Sequence, residues 1–132
     1  MHSSRTVQLD QLGQIALTVR DLERSTAFYR DTLGLKFLFG AGTMSFFQCG
    51  TVRLMLGVSE RASEVFVPSS TILYFKVDDL HATYAALAGA GAAFLQPPHL
   101  VAKMPGHDLW MAFLKDPDDA AIGLMAEVPN AR

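Results

Sequence analysis

Four histidines and one cysteine are the side chains of this 132-residue chain best able to bind a metal or relay a proton. His2 lies in the polar N-terminal stretch MHSSRTVQLDQLG, and His81 falls at the start of a helical segment, facing solvent. His99 and His107 share the stretch QPPHLVAKMPGHDLW with Lys103 and Trp110. Two readings of that stretch stand side by side. It is a loop whose polar residues meet water, or it closes a cavity mouth so that His99, Lys103, His107 and Trp110 touch a ligand. A metal held by His99, His107 and a carboxylate such as Asp108 is a further arrangement, though the spacing matches no recognised ligand pattern. Cys49, beside Gly50, reads as a small apolar residue with nothing nearby to activate a thiolate.

Near the C-terminus the chain reads KDPDDAAIGLMAE. Pro117 between aspartates marks a turn, and AIGLMA alternates like a short strand. Glycine inside a strand weakens it and leaves nothing to pack, so Gly123 needs a reason. Either another group approaches the backbone there, or a side chain is missing from a position that would otherwise carry one.

These residues need elements to position them, and composition bounds what those elements build. Half of the residues are hydrophobic, 18% are charged and the formal net charge is -2, as expected of one globular domain. The charge excludes the basic surface of a nucleic-acid binder, and no apolar run reaches the length of a membrane span. The N-terminal stretch lacks the apolar centre of a secretory signal. One cysteine cannot close an internal disulfide, which fits a reducing, cytoplasmic location.

An internal repeat carries most of the information. QIALTVRDLERSTAFY from Gln14 aligns with ILYFKVDDLHATYAAL from Ile72, placing Val19 on Val77, Asp21 on Asp79 and Leu22 on Leu80. After a one-residue adjustment, Gly34 falls on Gly91; further on, Leu54 falls on Leu124 and Met55 on Met125. In each copy an alternating strand comes first: Ile15, Leu17 and Val19, then Leu73, Phe75 and Val77. Asp21 and Asp79 cap the helices that follow, and Gly34 and Gly91 end them. Three apolar runs come next: LKFLF, MSFFQ and VRLML in one copy, AAFLQ, LWMAFL and AIGLMA in the other. The expected fold is α+β: two βαβββ modules, at about 12–58 and 70–128, with sheets curled around a cavity and helices outside.

IALTVRDLERSTAFYRDTLGLKFL, ILYFKVDDL and FLKDPDDAAIGLM together resemble the vicinal oxygen chelate superfamily, which includes glyoxalase I, bleomycin resistance proteins and extradiol dioxygenases. The resemblance implies a curled, incomplete barrel around a cavity, a divalent metal within it, and a homodimer. It also implies metal ligands at four positions of this chain. Gln14 stands where the first, His or Gln, is found, and Ile72 stands where the second copy has His. Gly123 occupies the place of a glutamate in the last strand. Its counterpart in the first copy is Arg53, or Met55 if the register slips by two. Asp119 replaces a turn glycine, a change that Asp tolerates because it can adopt the left-handed conformation.

Of the carried-over residues only Gln14 can donate an electron pair, and a neutral amide alone holds no divalent ion. Arg53 would repel one, and no glutamate stands ready as the base of a glyoxalase I reaction. Gly123 therefore reads as an emptied ligand position, with no metal cofactor expected. Strand alternation places Gln14, Ala16 and Thr18 on the cavity side, with Ile72, Tyr74 and Lys76, and with Arg53, Met55, Gly123 and Met125. An inward arginine needs a carboxylate partner or an anionic ligand. The leading expectation is a metal-free protein that binds a small, anionic molecule through Gln14, Arg53, Tyr74, Lys76, His99, Lys103, His107 and Trp110. The alternative is a lyase or isomerase resembling glyoxalase I, its divalent metal held by residues such as Gln14 and His99.

Overall fold

In a computed structural model that describes residues 6–59 and 65–131, the alternation of Ile15 and Leu17 with polar neighbours produces β1 (Gln14–Thr18). His2 lies outside the described residues. Asp21 caps α1 (Leu22–Ala27), its Oδ1 accepting from the Arg24 amide at 3.0 Å. The helix does not run on regularly to Gly34 as its periodicity suggests. It widens into a π-turn over Phe28–Thr32, closed by a bond from the Leu33 amide to the Phe28 carbonyl. Three strands follow, β2 (Lys36–Ala41), β3 (Met44–Cys49) and β4 (Val52–Gly57).

The second copy repeats the order with β5 (Leu73–Lys76), α2 (Leu80–Gly89), β6 (Phe94–Met104), β7 (His107–Lys115) and β8 (Ala121–Pro129). Asp79 caps α2 through the Ala82 amide at 3.0 Å. Each module forms its own sheet, in the orders β1-β4-β3-β2 and β5-β8-β7-β6. The first and last strands of each module run parallel and the other pairs antiparallel. The two sheets do not close into a barrel.

Two details depart from the sequence reading. The stretch QPPHLVAKMPGHDLW is not a loop: it is the far half of β6, a tight turn at Pro105 and Gly106, and the start of β7. Gly106 takes φ 88°, which permits the turn. Pro97 and Pro98 are tolerated because β6 is an edge strand whose register shifts between Gln96 and His99. The second departure is the repeat register. The Val19 amide bonds the Gly57 carbonyl, and the Val77 amide bonds the Met125 carbonyl, each at 2.9 Å. Because Val19 and Val77 are equivalent, Met55 and not Arg53 is the counterpart of Gly123.

One core serves both modules. Val19, Tyr29, Phe47, Leu54 and Leu56 pack with Leu80, Ala112, Leu114, Ile122 and Leu124, flanked by Ile15, Leu17, Leu73 and Phe75. The turn DPDD fastens the modules through buried carboxylates. Asp116 Oδ1 accepts from the amides of Asp118 and Ala120 at 2.8 and 2.9 Å, and its Oδ2 accepts from the Tyr29 hydroxyl at 3.0 Å. Asp118 accepts from the Arg20 amide at 3.1 Å and from Arg24 Nη2 at 2.9 Å. Asp119 closes the turn at φ 65°, in the left-handed conformation expected of it.

Burial, and then the neighbouring Asp116 and Asp118 carboxylates, push the Tyr29 hydroxyl far above the ordinary phenol range. The folded state therefore holds this proton more tightly than the unfolded chain. The resulting stability is complete below pH about 10 and is lost as the pH climbs towards the folded value. Tyr29→Phe is expected to lower stability in denaturant at neutral pH by ~1.5 to 3 kcal/mol, the worth of a hydrogen bond to a charged group. The same variant should lack the alkaline loss that the unaltered protein shows. Equal alkaline stability profiles for the two proteins would show that this hydroxyl does not fasten the modules.

Candidate functional site

Both helices lie on one face of their sheets, which leaves the other face of each module open. On module one, cross-strand pairing places Gln14, Arg53, Gln48 and Lys36 in one row across β1, β4, β3 and β2. The adjoining row is Ala16, Met55, Phe46 and Phe39. Arg53 belongs to the open face because its neighbours on β4, Val52 and Leu54, turn towards the core side, where Leu54 is buried. Its guanidinium carbon lies 6.0 Å from the centre of the Phe46 ring, and no acid among the described residues pairs with it. Gln48 is anchored by its Nε2, which donates to the Gly50 carbonyl at 2.7 Å.

Two rows of the open face of module two read Tyr74, Gly123, Phe113 and Gln96, the counterpart of the Ala16 and Met55 row, then Lys76, Met125, Met111 and His99. The Tyr74 ring lies directly over Gly123. A Cβ added at Gly123 would stand 2.5 Å from Tyr74 Cδ1 and 2.7 Å from Cε1. Another group therefore does approach this glycine: the volume that a side chain would occupy holds the tyrosine ring. Tyr74 also meets Phe113 edge-on, with ring centres 5.8 Å apart.

The expected site residues separate into groups. Gln14 and Arg53 are cross-strand neighbours on module one; Tyr74, Lys76, His99 and His107 share the open face of module two. Lys103 and Trp110 are not brought there. Once their segment is strand, alternate residues must take opposite faces. Lys103 pairs with Asp108, and Trp110 lies on the side of buried Ala112, its ring 5.5 Å from that of His81 on the second helix. Ile72 precedes β5 and lines an apolar groove of about 410 Å³ between the modules, with Leu12, Ile15, Cys49, Val52 and Phe75. Half-buried Cys49 thus packs as the small apolar residue its surroundings suggested.

Glu127 is the residue that sequence reasoning missed. It lies four positions beyond Gly123 on the same face, and continuing the strand alternation past Met125 would have found it. Lys76 Nζ lies 2.7 Å from one carboxylate oxygen and His107 Nε2 3.6 Å from the other. The hydrogen bond from Lys76, then its charge, holds the Glu127 carboxyl below the usual range, and Glu127 raises the Lys76 ammonium in return. The charge of Lys76 is thereby neutralised.

A divalent metal does not fit the inherited positions. Gln14 offers one neutral oxygen, Ile72 and Gly123 offer none, and the counterpart of Gly123 is a thioether, Met55. Among the described residues no three His, Cys, Asp or Glu side chains converge on a point. His99 pairs with Met111, four residues along β7 from His107, so roughly 13 Å of strand separates the two histidines. Asp108 points to the opposite face from His107 and accepts from Asn130 Nδ2 at 2.7 Å.

Residues 11–124 match the model of the Glyoxalase/Bleomycin resistance protein/Dioxygenase superfamily. An uncharacterized protein of Bacillus subtilis, YraH, is 31% identical over 101 residues, covering 67% of this chain and 79% of that protein. An integron cassette protein from the mobile metagenome of V. cholerae superposes with a TM-score of 0.74 at 23% identity, covering 92% of this chain and 98% of the other. Lactoylglutathione lyase from Agrobacterium tumefaciens superposes with a TM-score of 0.69 at 22% identity, covering 90% and 95%. At these identities the structural likeness concerns the fold.

The contact between Tyr74 and Gly123 generates a direct test. Gly123→Ala should force the ring aside and cost ~1 to 3 kcal/mol in chemical denaturation, as other overpacking changes do. Tyr74→Ala in the same chain should relieve most of that loss, so the two substitutions are strongly non-additive. Additive losses would mean that the ring does not occupy the space above Gly123.

Proposed function

Because this chain belongs to the Glyoxalase/Bleomycin resistance protein/Dioxygenase superfamily, we propose that it binds a small anionic molecule in the cleft that βαβββ modules of this family build, and that it does so without the family's metal. The observation that carries this reading is Arg53. Its guanidinium stands on an open sheet face with amides on either side and no carboxylate partner among the described residues. A planar fork of donors in that setting suits a carboxylate through paired hydrogen bonds. The donor set supports the metal-free part: where a relative would carry a glutamate, this chain has Gly123 beneath the Tyr74 ring.

On this reading Gln14 and Gln48 orient the anion from either side of Arg53, neighbouring strands being about 4.8 Å apart. Binding is the activity; no residue on either face is assigned a proton-transfer step. The open faces also suggest how a cleft is completed. Phe39 and Tyr74 are 47% and 46% exposed on faces that no helix among the described residues covers, and burying such surface against a second copy is favourable. A homodimer is therefore part of the proposal.

Arg53→Met should leave thermal unfolding nearly unchanged while weakening the binding of small carboxylates by ~1.5 to 3 kcal/mol in calorimetric titration. Carboxylate binding indifferent to this substitution, or stoichiometric metal retained by the purified protein after dialysis, would overturn the reading. Light scattering should give a mass twice that of the chain at micromolar concentration; a monomer would remove the dimer from it.

A further inference from the structure

The open face of module one is ordered by polarity as well as by charge. Its row of Gln14, Arg53, Gln48 and Lys36 adjoins a row of Ala16, Met55, Phe46 and Phe39. Two residues along a strand separate the rows, about 7 Å. The Phe39 and Phe46 rings stack with centres 4.6 Å apart and planes 25° from parallel. A register shift between Phe37 and Phe39 brings them opposite one another. The Arg53 guanidinium, 6.0 Å from the Phe46 ring centre, joins the two rows. Ala16, small and at the sheet edge, leaves room beside Met55.

Resting on the reading of Arg53 as an anion anchor, we infer that the ligand is an aromatic monocarboxylate, its acid on Arg53 and its ring on the platform of Phe46 and Met55. A flat ring suits this surface because stacked or edge-on aromatic contacts and a thioether all reward a planar π-system. A single negative charge suits it because Gln48 stands between the cations Arg53 and Lys36. That spacing, two strand widths or about 9.6 Å, keeps them from converging on one small group. Among the described residues module two offers no equivalent: Ala121 stands in the place of Arg53, and Lys115 beside it pairs with Asp119. Tyr74 covers Gly123, and Glu127 neutralises Lys76.

The test uses calorimetric titration of the intact protein with 3-phenylpropionate, propionate and 3-phenylpropanol, whose two-carbon spacer bridges rows of this separation. The aromatic acid should bind about tenfold more tightly than either of the others. Phe46→Leu should weaken 3-phenylpropionate by about three- to tenfold and leave propionate unchanged. Arg53→Met should weaken both acids by about tenfold or more. If Phe46→Leu fails to fold by circular dichroism, Phe39→Leu, on the exposed edge strand, carries the same readout. Equal affinities for the two acids, or a Phe46→Leu variant that binds both as before while Arg53→Met still weakens them, overturns the aromatic class and leaves the anion reading standing. Loss of the Arg53 dependence, or an alcohol that binds as tightly as the acid, removes both.

Discussion

The Asp116 carboxylate has only 7% of its residue surface exposed, yet it gathers two amides of its own turn and the hydroxyl of Tyr29 from the other module. Burying a charged carboxylate is unfavourable unless its lone pairs are filled, and here the partners come from both halves of the chain. The two amides shape the turn that leads into β8. The hydroxyl, with the bonds from Arg20 and Arg24 to Asp118, fixes that turn against α1 and the end of β1. Both open faces are oriented by this fastening, since β8 runs through the middle of one sheet and β1 edges the other.

From that framework the two modules diverge. Their backbones repeat the same element order, but their open faces carry different chemistry. Module one presents a cation with amides beside it and an aromatic platform next to it. Module two presents a tyrosine lying over a glycine, and a lysine already paired with Glu127. The corresponding positions Met55 and Gly123 thus have different surroundings. Beside Met55 the sheet face stays open. At Gly123 the space is filled from within by Tyr74.

Much of this was legible in the sequence. The βαβββ repeat, the caps at Asp21 and Asp79, the left-handed Asp119 and the outward face of Arg53 all follow from local rules that a short stretch of chain states by itself. The stretch from Gln96 to Trp110 misled because its prolines and glycine resemble a loop. An edge strand with a shifted register accommodates the prolines without a lost ladder bond, and Gly106 closes a hairpin. With that segment a strand, Lys103 and Trp110 had to part from His99 and His107. Tyr29 read as part of an apolar stripe; that its hydroxyl reaches a carboxylate 87 positions away is invisible to periodicity.

Where a strand is recognisable and its alternation is followed, as around Arg53, the sequence alone determined which residues face the helices and which face away, because side chains alternate with a period of two along any strand; it did not do so for Lys103 and Trp110. It could not determine which residues stand side by side across strands. A slip of two preserves every inward and outward assignment, so the alignment that set Arg53 against Gly123, with Met55 as its alternative, is corrected only by the bonds of Val19 and Val77 to Gly57 and Met125. That choice belongs to the tertiary structure, because it is made by ladder bonds between strands far apart in the chain. The same register sets Tyr74 across from Gly123 and Gln14 across from Arg53, so the physical content of both faces was decided there.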